Sequence, residues 1–253
     1  AGPGELGYNI SFLYPRDGGI QTMTRALASR LAPAHVRTGA AVEAVDTPRP
    51  TVSVGGEDVP YHALVSSAPL PELLAMLRPE PPDEVLEAAG WLRATPVRYL
   101  DVGSRTRPPQ DYHWVYVPEE RLPFYRVGVY SNAVESMAPP GGSSLYVELA
   151  SRTPGHDPQA EISDSLAALV EAGALKSTED VVVADLREID HAYVVFDDNY
   201  EEALGRIFPY LERHRIYSRG RYGSWIYNSM EDSLIAGREV AEVINRLPAR
   251  EGA

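Results

Sequence analysis

The residues most suggestive of chemistry lie near the C-terminal end, where an apolar strand runs into Gly220-Arg221-Tyr222-Gly223 and a helix is expected to begin at Ser229. Ser229 is a good N-cap, and Asp232 three residues later completes a capping box. A helix N-terminus presents unpaired N–H groups and a partial positive charge. It suits a pyrophosphate or an electron-rich ring edge. Gly220 and Gly223 would let a ligand come close to the backbone, and Arg221 has the fork geometry for a phosphate. The competing reading is simpler: a well-capped helix after a turn.

Other chemistries find little support. The chain has 253 residues and no cysteine, which excludes disulfides, Cys-ligated zinc, iron–sulfur clusters and a cysteinyl-linked flavin. Lys176 is the only lysine and sits in a polar turn, so Schiff-base chemistry is not expected. The six histidines, His35, His62, His113, His156, His191 and His214, show no metal-ligand spacing, and no metal is expected. Gly103-Ser104-Arg105 is not a nucleophile elbow, and no P-loop occurs. Asp197, Asp198, Glu201 and Glu202 read as the acidic start of a helix rather than a metal patch. The net charge of −13 argues against nucleic acid as a partner and against an anionic membrane surface. No apolar run is long enough to span a bilayer.

The elements that must position the C-terminal segment are legible in outline. Tyr14 to Gly19 is a Pro- and Gly-rich loop before a helix carrying Ile20, Met23, Leu27 and Leu31. Val36 to Thr38 and Ala41 to Val45 read as short strands. Thr51 to Val54 and Asp58 to Tyr61 read as a hairpin turning on Gly55-Gly56. Ala63 to Ser66 reads as a buried strand, Pro71 to Leu77 and Asp83 to Leu92 as helices. Val97 to Val102, His113 to Val117, Phe124 to Tyr130, Ser144 to Ala150 and Val181 to Ile189 suggest an antiparallel sheet with one face covered. Pro158 to Ala172 and Tyr200 to His214 read as helices, and Ile216 to Gly220 as a strand. The last helix, to Asn245, has Met230, Leu234, Gly237, Ala241 and Ile244 on one stripe, with Gly237 and Ala241 small enough for close packing. The ends, Ala1 to Glu5 and Pro248 to Ala253, read as frayed.

The stretch GRYGSWIYNSMEDSLIAG resembles the C-terminal flavin motif of UDP-galactopyranose mutases and of protoporphyrinogen-oxidase-like and amine-oxidase-like flavoproteins. The matching residues are Gly220, Arg221, Trp225, Tyr227, Met230 and Glu231. The resemblance implies FAD, with Gly220 and Arg221 at its pyrophosphate and the backbone of Met230 and Glu231 near the isoalloxazine ring. Trp225 and Tyr227 would face substrate, with core packing as the alternative. Tyr193 lies in a segment similar to the mutase stretch before this motif, and Arg126 in a Pro-aromatic-x-Arg strand whose arginine can meet a substrate pyrophosphate. Arg126 could equally be a cross-strand partner. Tyr14-Pro15 with Gly18-Gly19 resembles the family loop that passes close to the flavin, and Val42 the position whose backbone contacts adenine.

The implied fold class is α/β (α+β): a partial three-layer FAD-binding domain plus an antiparallel-sheet substrate domain. The expected segments are 1–69 in the FAD domain, 70–198 in the substrate domain and 199–247 in the FAD domain again. Family members carry a G-x-G-x-x-G turn for the diphosphate, which does not occur here. The expectation is therefore a C-terminal half, with roughly 150–200 residues of FAD-binding chain supplied in cis or by a separate chain. The implied activity is hydride transfer from a small substrate to FAD, in the cytoplasm. A nucleotide-sugar mutase using reduced FAD is the alternative, and a non-catalytic partner subunit a third reading.

Overall fold

A computed structural model describes residues 13–149 and 157–249. In chain order the elements are α1 (Gln21–Ala28), β1 (Val42–Asp46), β2 (Thr51–Val54), β3 (Glu57–Pro60), β4 (Leu64–Ser66), α2 (Leu70–Met76), β5 (Leu77–Arg78) and α3 (Asp83–Trp91). Then come β6 (Ala94–Ser104), β7 (Trp114–Tyr116), β8 (Phe124–Val129), α4 (Tyr130–Ala133), β9 (Ser143–Leu149) and α5 (Pro158–Glu171). The chain closes with β10 (Val181–Val194), α6 (Tyr200–Arg213), β11 (Ile216–Ser218), α7 (Gly220–Gly223) and α8 (Met230–Asn245). Two compact units result, one from residues up to Val36 with Val97–Ile189, the other from Arg37–Pro96 with Asp190 onward.

The first unit is built on a five-stranded sheet in the order β10-β6-β9-β8-β7, and the pairs β6–β9, β9–β8 and β8–β7 are antiparallel. Alternation along the strands gives it two chemically distinct faces. Leu100, Val102, Val127, Leu145, Val147 and Leu149 are buried with Ala168 and Leu169 of α5. The opposite face carries Tyr99, Asp101, Arg126, Tyr146 and Glu148, joined by the register pairs Tyr99–Glu148, Asp101–Tyr146 and Arg126–Glu148. The expected antiparallel sheet with one covered face is therefore present.

The second unit has a four-stranded sheet, β3-β2-β1-β5, and a two-stranded parallel sheet, β11-β4. Its core gathers Leu70, Leu73 and Leu74 of α2, Val85 and Ala88 of α3, Ile207 and Leu211 of α6, Ile216 and Trp225. The unit boundaries differ from the expected 1–69, 70–198 and 199–247. The short strand β5 pairs parallel with β1, and α3 packs on α6, so 70–96 joins the segment before it and the C-terminal segment.

Several local expectations change. Val36 to Thr38 forms no strand; a 3-10 turn, Pro33–His35, and bends fill that stretch. The strand at 64–66 is not fully buried, since Val65 is 46% exposed. On α8, Met230, Leu234, Gly237 and Ala241 are exposed and Val240 is the buried residue. Close packing at Gly237 is not found among the described residues, because periodicity does not say whether anything covers a face. The expected frayed N-terminal end, Ala150 and the last four residues lie outside the described residues.

Candidate functional site

The C-terminal segment leaves the core at β11, whose three residues are all buried and pair in register with Leu64, Val65 and Ser66 of β4. Gly220 follows at φ +83°, a left-handed conformation that glycine adopts without steric cost. Arg221 then turns inward. Its Nη1 donates to the Asn228 carbonyl at 3.1 Å and its Nη2 to the Ala192 carbonyl at 2.9 Å. The guanidinium lies 4.4 Å from the Tyr227 ring centre and 5.6 Å from that of Tyr193. Two of its three nitrogens are thus spent on carbonyls. In this geometry Arg221 is a clamp that ties the 224–229 loop to the end of β10, rather than a fork held open for a pyrophosphate.

Two aromatics two residues apart go opposite ways. Tyr227 is 61% exposed and stacks with Tyr193, ring centres 6.0 Å apart. Trp225 is 1% exposed and packs edge-on to His191 within the core. Its φ of +53° throws the side chain inward, and its carbonyl accepts the Tyr200 hydroxyl at 2.9 Å. Trp225 is therefore a core residue and cannot face substrate. Of the expected substrate residues, Tyr193 and Tyr227 are brought together and Trp225 is not among them.

At the start of α8 the capping box is complete. Ser229 Oγ accepts the Asp232 N–H at 3.2 Å, and Asp232 Oδ2 accepts the Ser229 N–H at 2.8 Å. The Ser229 backbone bond, then its hydroxyl, hold the Asp232 carboxyl below the usual range. The cap uses the third helical N–H and leaves those of Met230 and Glu231 pointing out of the first turn. Val42 opens β1 opposite Val54, where the ladder shifts register; β5 joins only from Val45, so Val42 has no strand partner on that side among the described residues.

Arg126 sits in the other unit, on the polar face of the sheet. The ladder is irregular between Phe124 and Arg126, which sends two neighbouring side chains to one acceptor. Tyr125 donates its hydroxyl to Glu148 at 2.7 Å, and Arg126 forms an ion pair with the same carboxylate. The guanidinium lies 5.8 Å from the Tyr116 ring centre and 6.0 Å from that of Tyr146. This is the cross-strand arrangement that the sequence left open.

The same unit holds a cavity of about 820 Å³. The Gly18-Gly19 loop borders it, with φ of +76° and +65°, and the loop is anchored locally. The Tyr14 hydroxyl accepts the Ile20 N–H at 3.2 Å, the Ser136 hydroxyl donates to the Arg16 carbonyl at 3.0 Å, and Met137 Sδ packs where a Gly19 side chain would stand. Glycine, proline, valine and leucine make up about half of the lining, with Tyr14, Gln21, Asp101, Arg105 and Tyr130 as its larger polar groups. Burial raises the Asp101 carboxyl, against the pull of Arg187 at 3.8 Å. Burial also raises the Tyr130 phenol well above its usual range, reinforced by Asp101. Asp101 and Tyr130 were not singled out from sequence. The signal, an acidic residue inside an otherwise apolar strand, is visible in Leu100-Asp101-Val102, but only the fold shows which face it takes. No group of three metal-ligating side chains stands together among the described residues.

Known proteins place this architecture. A family model described as flavin containing amine oxidoreductase matches residues 4–245. A reduced UDP-galactopyranose mutase is similar at 26% identity and TM-score 0.83, over 92% of this chain and 52% of that one. A protein described as a putative protoporphyrinogen oxidase from Exiguobacterium sp. 255-15 shares 12% identity at TM-score 0.70, over 90% of this chain and 51% of that one. A putrescine oxidase with putrescine bound shares 17% identity at TM-score 0.66, over 91% and 54%. The last two likenesses speak to the fold alone. The chain spans about half the length of each of these proteins. On the family match over nearly its whole length, this chain belongs to the flavin-containing amine oxidoreductases.

Proposed function

We propose that this chain supplies the substrate-holding half of an FAD-dependent oxidoreductase that removes a hydride from a small, largely apolar substrate. The observation that carries this reading is the cavity bordered by Gly18 and Gly19, the loop that resembles the flavin-approaching loop of the family. Its volume of about 820 Å³ falls in the range of small-molecule sites. Asp101 and Tyr130 are the polar groups that would orient a substrate there. With its carboxyl raised by burial, Asp101 is suited to accept the proton that an amine or hydroxyl of the substrate gives up as the hydride leaves the adjoining carbon.

The residues present fit a flavin in part. Outward N–H groups at Met230 and Glu231 and the left-handed Gly220 match a ligand that approaches backbone closely. Bound FAD would supply a two-electron acceptor, and an external oxidant would close the cycle. Gly220, Met230, Glu231 and Val42 would hold it through main-chain groups, while Arg221 would act by fixing the loop before Met230. No dinucleotide-binding glycine motif occurs in this sequence, so the rest of the cradle would come from a further FAD-binding segment, in cis or as a partner chain. The two-stranded sheet β11-β4 and the largely exposed α8 are consistent with such a partner.

A mutase remains the second reading, favoured by the 26% identity to a UDP-galactopyranose mutase and by the Tyr193–Arg221–Tyr227 cluster. Arg126 weakens it, because its charge is already matched by Glu148. The test uses the chain together with its FAD-binding half. Anaerobic addition of amine and alcohol substrates should bleach the flavin, and Asp101→Ala should slow the bleaching. Turnover of UDP-galactopyranose by the dithionite-reduced protein, without net electron transfer, would favour the mutase instead. Loss of neither activity on altering Asp101 would remove the cavity from the argument.

A further inference from the structure

We propose that a groove at the C-terminal end of α6, apart from the residues discussed above, binds the phosphate group of a small anionic ligand. The groove has a volume of about 960 Å³ and is contained within the second unit. Its lining includes Arg49, Arg213, Arg215, His62 and His214, and no aspartate or glutamate. This is unexpected for a chain with 36 acidic and 23 basic residues. Arg49 is matched by Asp46 at 2.7 Å and lends little net charge. Arg213 and Arg215 are different: among the described residues neither forms an ion pair with a carboxylate. Two guanidinium groups on the same groove without a counter-charge repel each other, and a doubly charged anion relieves that repulsion.

The backbone supports the same site. Arg215 has φ +57°, a conformation that costs an arginine and that glycine or asparagine fills most readily after a helix. The arginine side chain at this place is held rather than loose. Its Nη1 donates to the Pro248 carbonyl at 3.0 Å and lies 3.4 Å from His62 Nδ1. One guanidinium thus links the segment after α6, the segment after β3 and the segment after α8. Pro48, Pro50 and Pro60 stiffen the rim. Basic residues at a helix C-terminus also offset its dipole. That accounts for Arg213 in the last turn, but not for Arg215 beyond it in a strained conformation, nor for the carboxylate-free lining.

The full chain should be titrated calorimetrically with inorganic phosphate and with pyrophosphate, against chloride at matched ionic strength. Saturable binding beyond the chloride control is expected, tighter for pyrophosphate. Arg213→Gln and Arg215→Asn should each weaken it about tenfold, and Asn suits the left-handed backbone at 215. Arg213→Lys should retain most of the affinity. Heat no greater than with chloride would overturn the proposal, as would equal binding by wild type and both charge-removing variants, which would put the anion elsewhere. Should one charge-removing variant fail to fold, the other decides through thermal protection by pyrophosphate: protection that it loses supports the site, and protection that it keeps, or none in the wild type beyond chloride, refutes it. The flavin reading is independent of every one of these outcomes.

Discussion

Replacing Trp225 separates its core role from the substrate role that its motif suggests. The side chain is 1% exposed within the second unit, so Trp225→Ala leaves a large cavity and should cost about 3–5 kcal/mol. Alanine also keeps a non-glycine residue at φ +53°. Trp225→Gly relieves a left-handed strain of about 1–2 kcal/mol, set against an unfolded-state entropy term of about 0.4–1 kcal/mol. The glycine variant should therefore be the more stable of the two by roughly 0.5–1 kcal/mol, the reverse of the usual order. Trp225→Phe should be mild. The indole N–H has no acceptor among the described residues, and losing an orphaned donor recovers about 1–3 kcal/mol that offsets the smaller ring. Urea unfolding followed by circular dichroism measures all three. If Trp225→Ala unfolds at the wild-type urea concentration and loses only substrate affinity, the core assignment is wrong.

Other perturbations test other parts. A Cβ at Gly128 would stand 1.9 Å from the Tyr146 ring, so Gly128→Ala should displace that ring and destabilise the first unit by about 1–3 kcal/mol, read by urea unfolding. Glu161 is 1% exposed and bound by Arg98 at 2.8 Å; Arg98→Met should cost about 3–5 kcal/mol, whereas Arg98→Met with Glu161→Leu should restore most of the loss. Asp101 has a folded-state pKa raised by burial, so its ionisation opposes folding. Asp101→Asn should raise stability at neutral pH, and the gain should vanish as pH falls below about 4, where the aspartate is protonated in both states. Asp232 runs the other way: its lowered pKa stabilises α8 above its ordinary value of 3.8, and Asp232→Asn should flatten the acid limb of the unfolding profile.

Much of the fold was legible because local rules and tertiary outcome agree. The Gly55-Gly56 hairpin, the strands of 97–149, the helix from Pro158 and the Ser229–Asp232 box each follow from residues a few positions apart. The misjudged elements depend on distant partners. The two-residue strand β5 exists only because β1 lies beside it, and it carries no periodicity of its own. Whether a carboxylate stood across the ladder from Arg126 was a question the sequence left open, because pairing register decides it.

The sequence by itself determined the family segment at 220–231, the capped helix that follows it, and a chemistry without cysteine, metal spacing or lysine nucleophile. Motif and capping are properties of neighbouring residues, so one dimension suffices for them. Only the tertiary structure decided how those residues are used. It turned Trp225 into the core through a single left-handed backbone angle, and it spent Arg221 on two carbonyls 29 and 7 residues away. It also set Asp101 and Tyr130 on the wall of a cavity beside Gly18 and Gly19. Side-chain direction, counter-charge and burial are properties of what folds alongside, and nothing local in the chain encodes them.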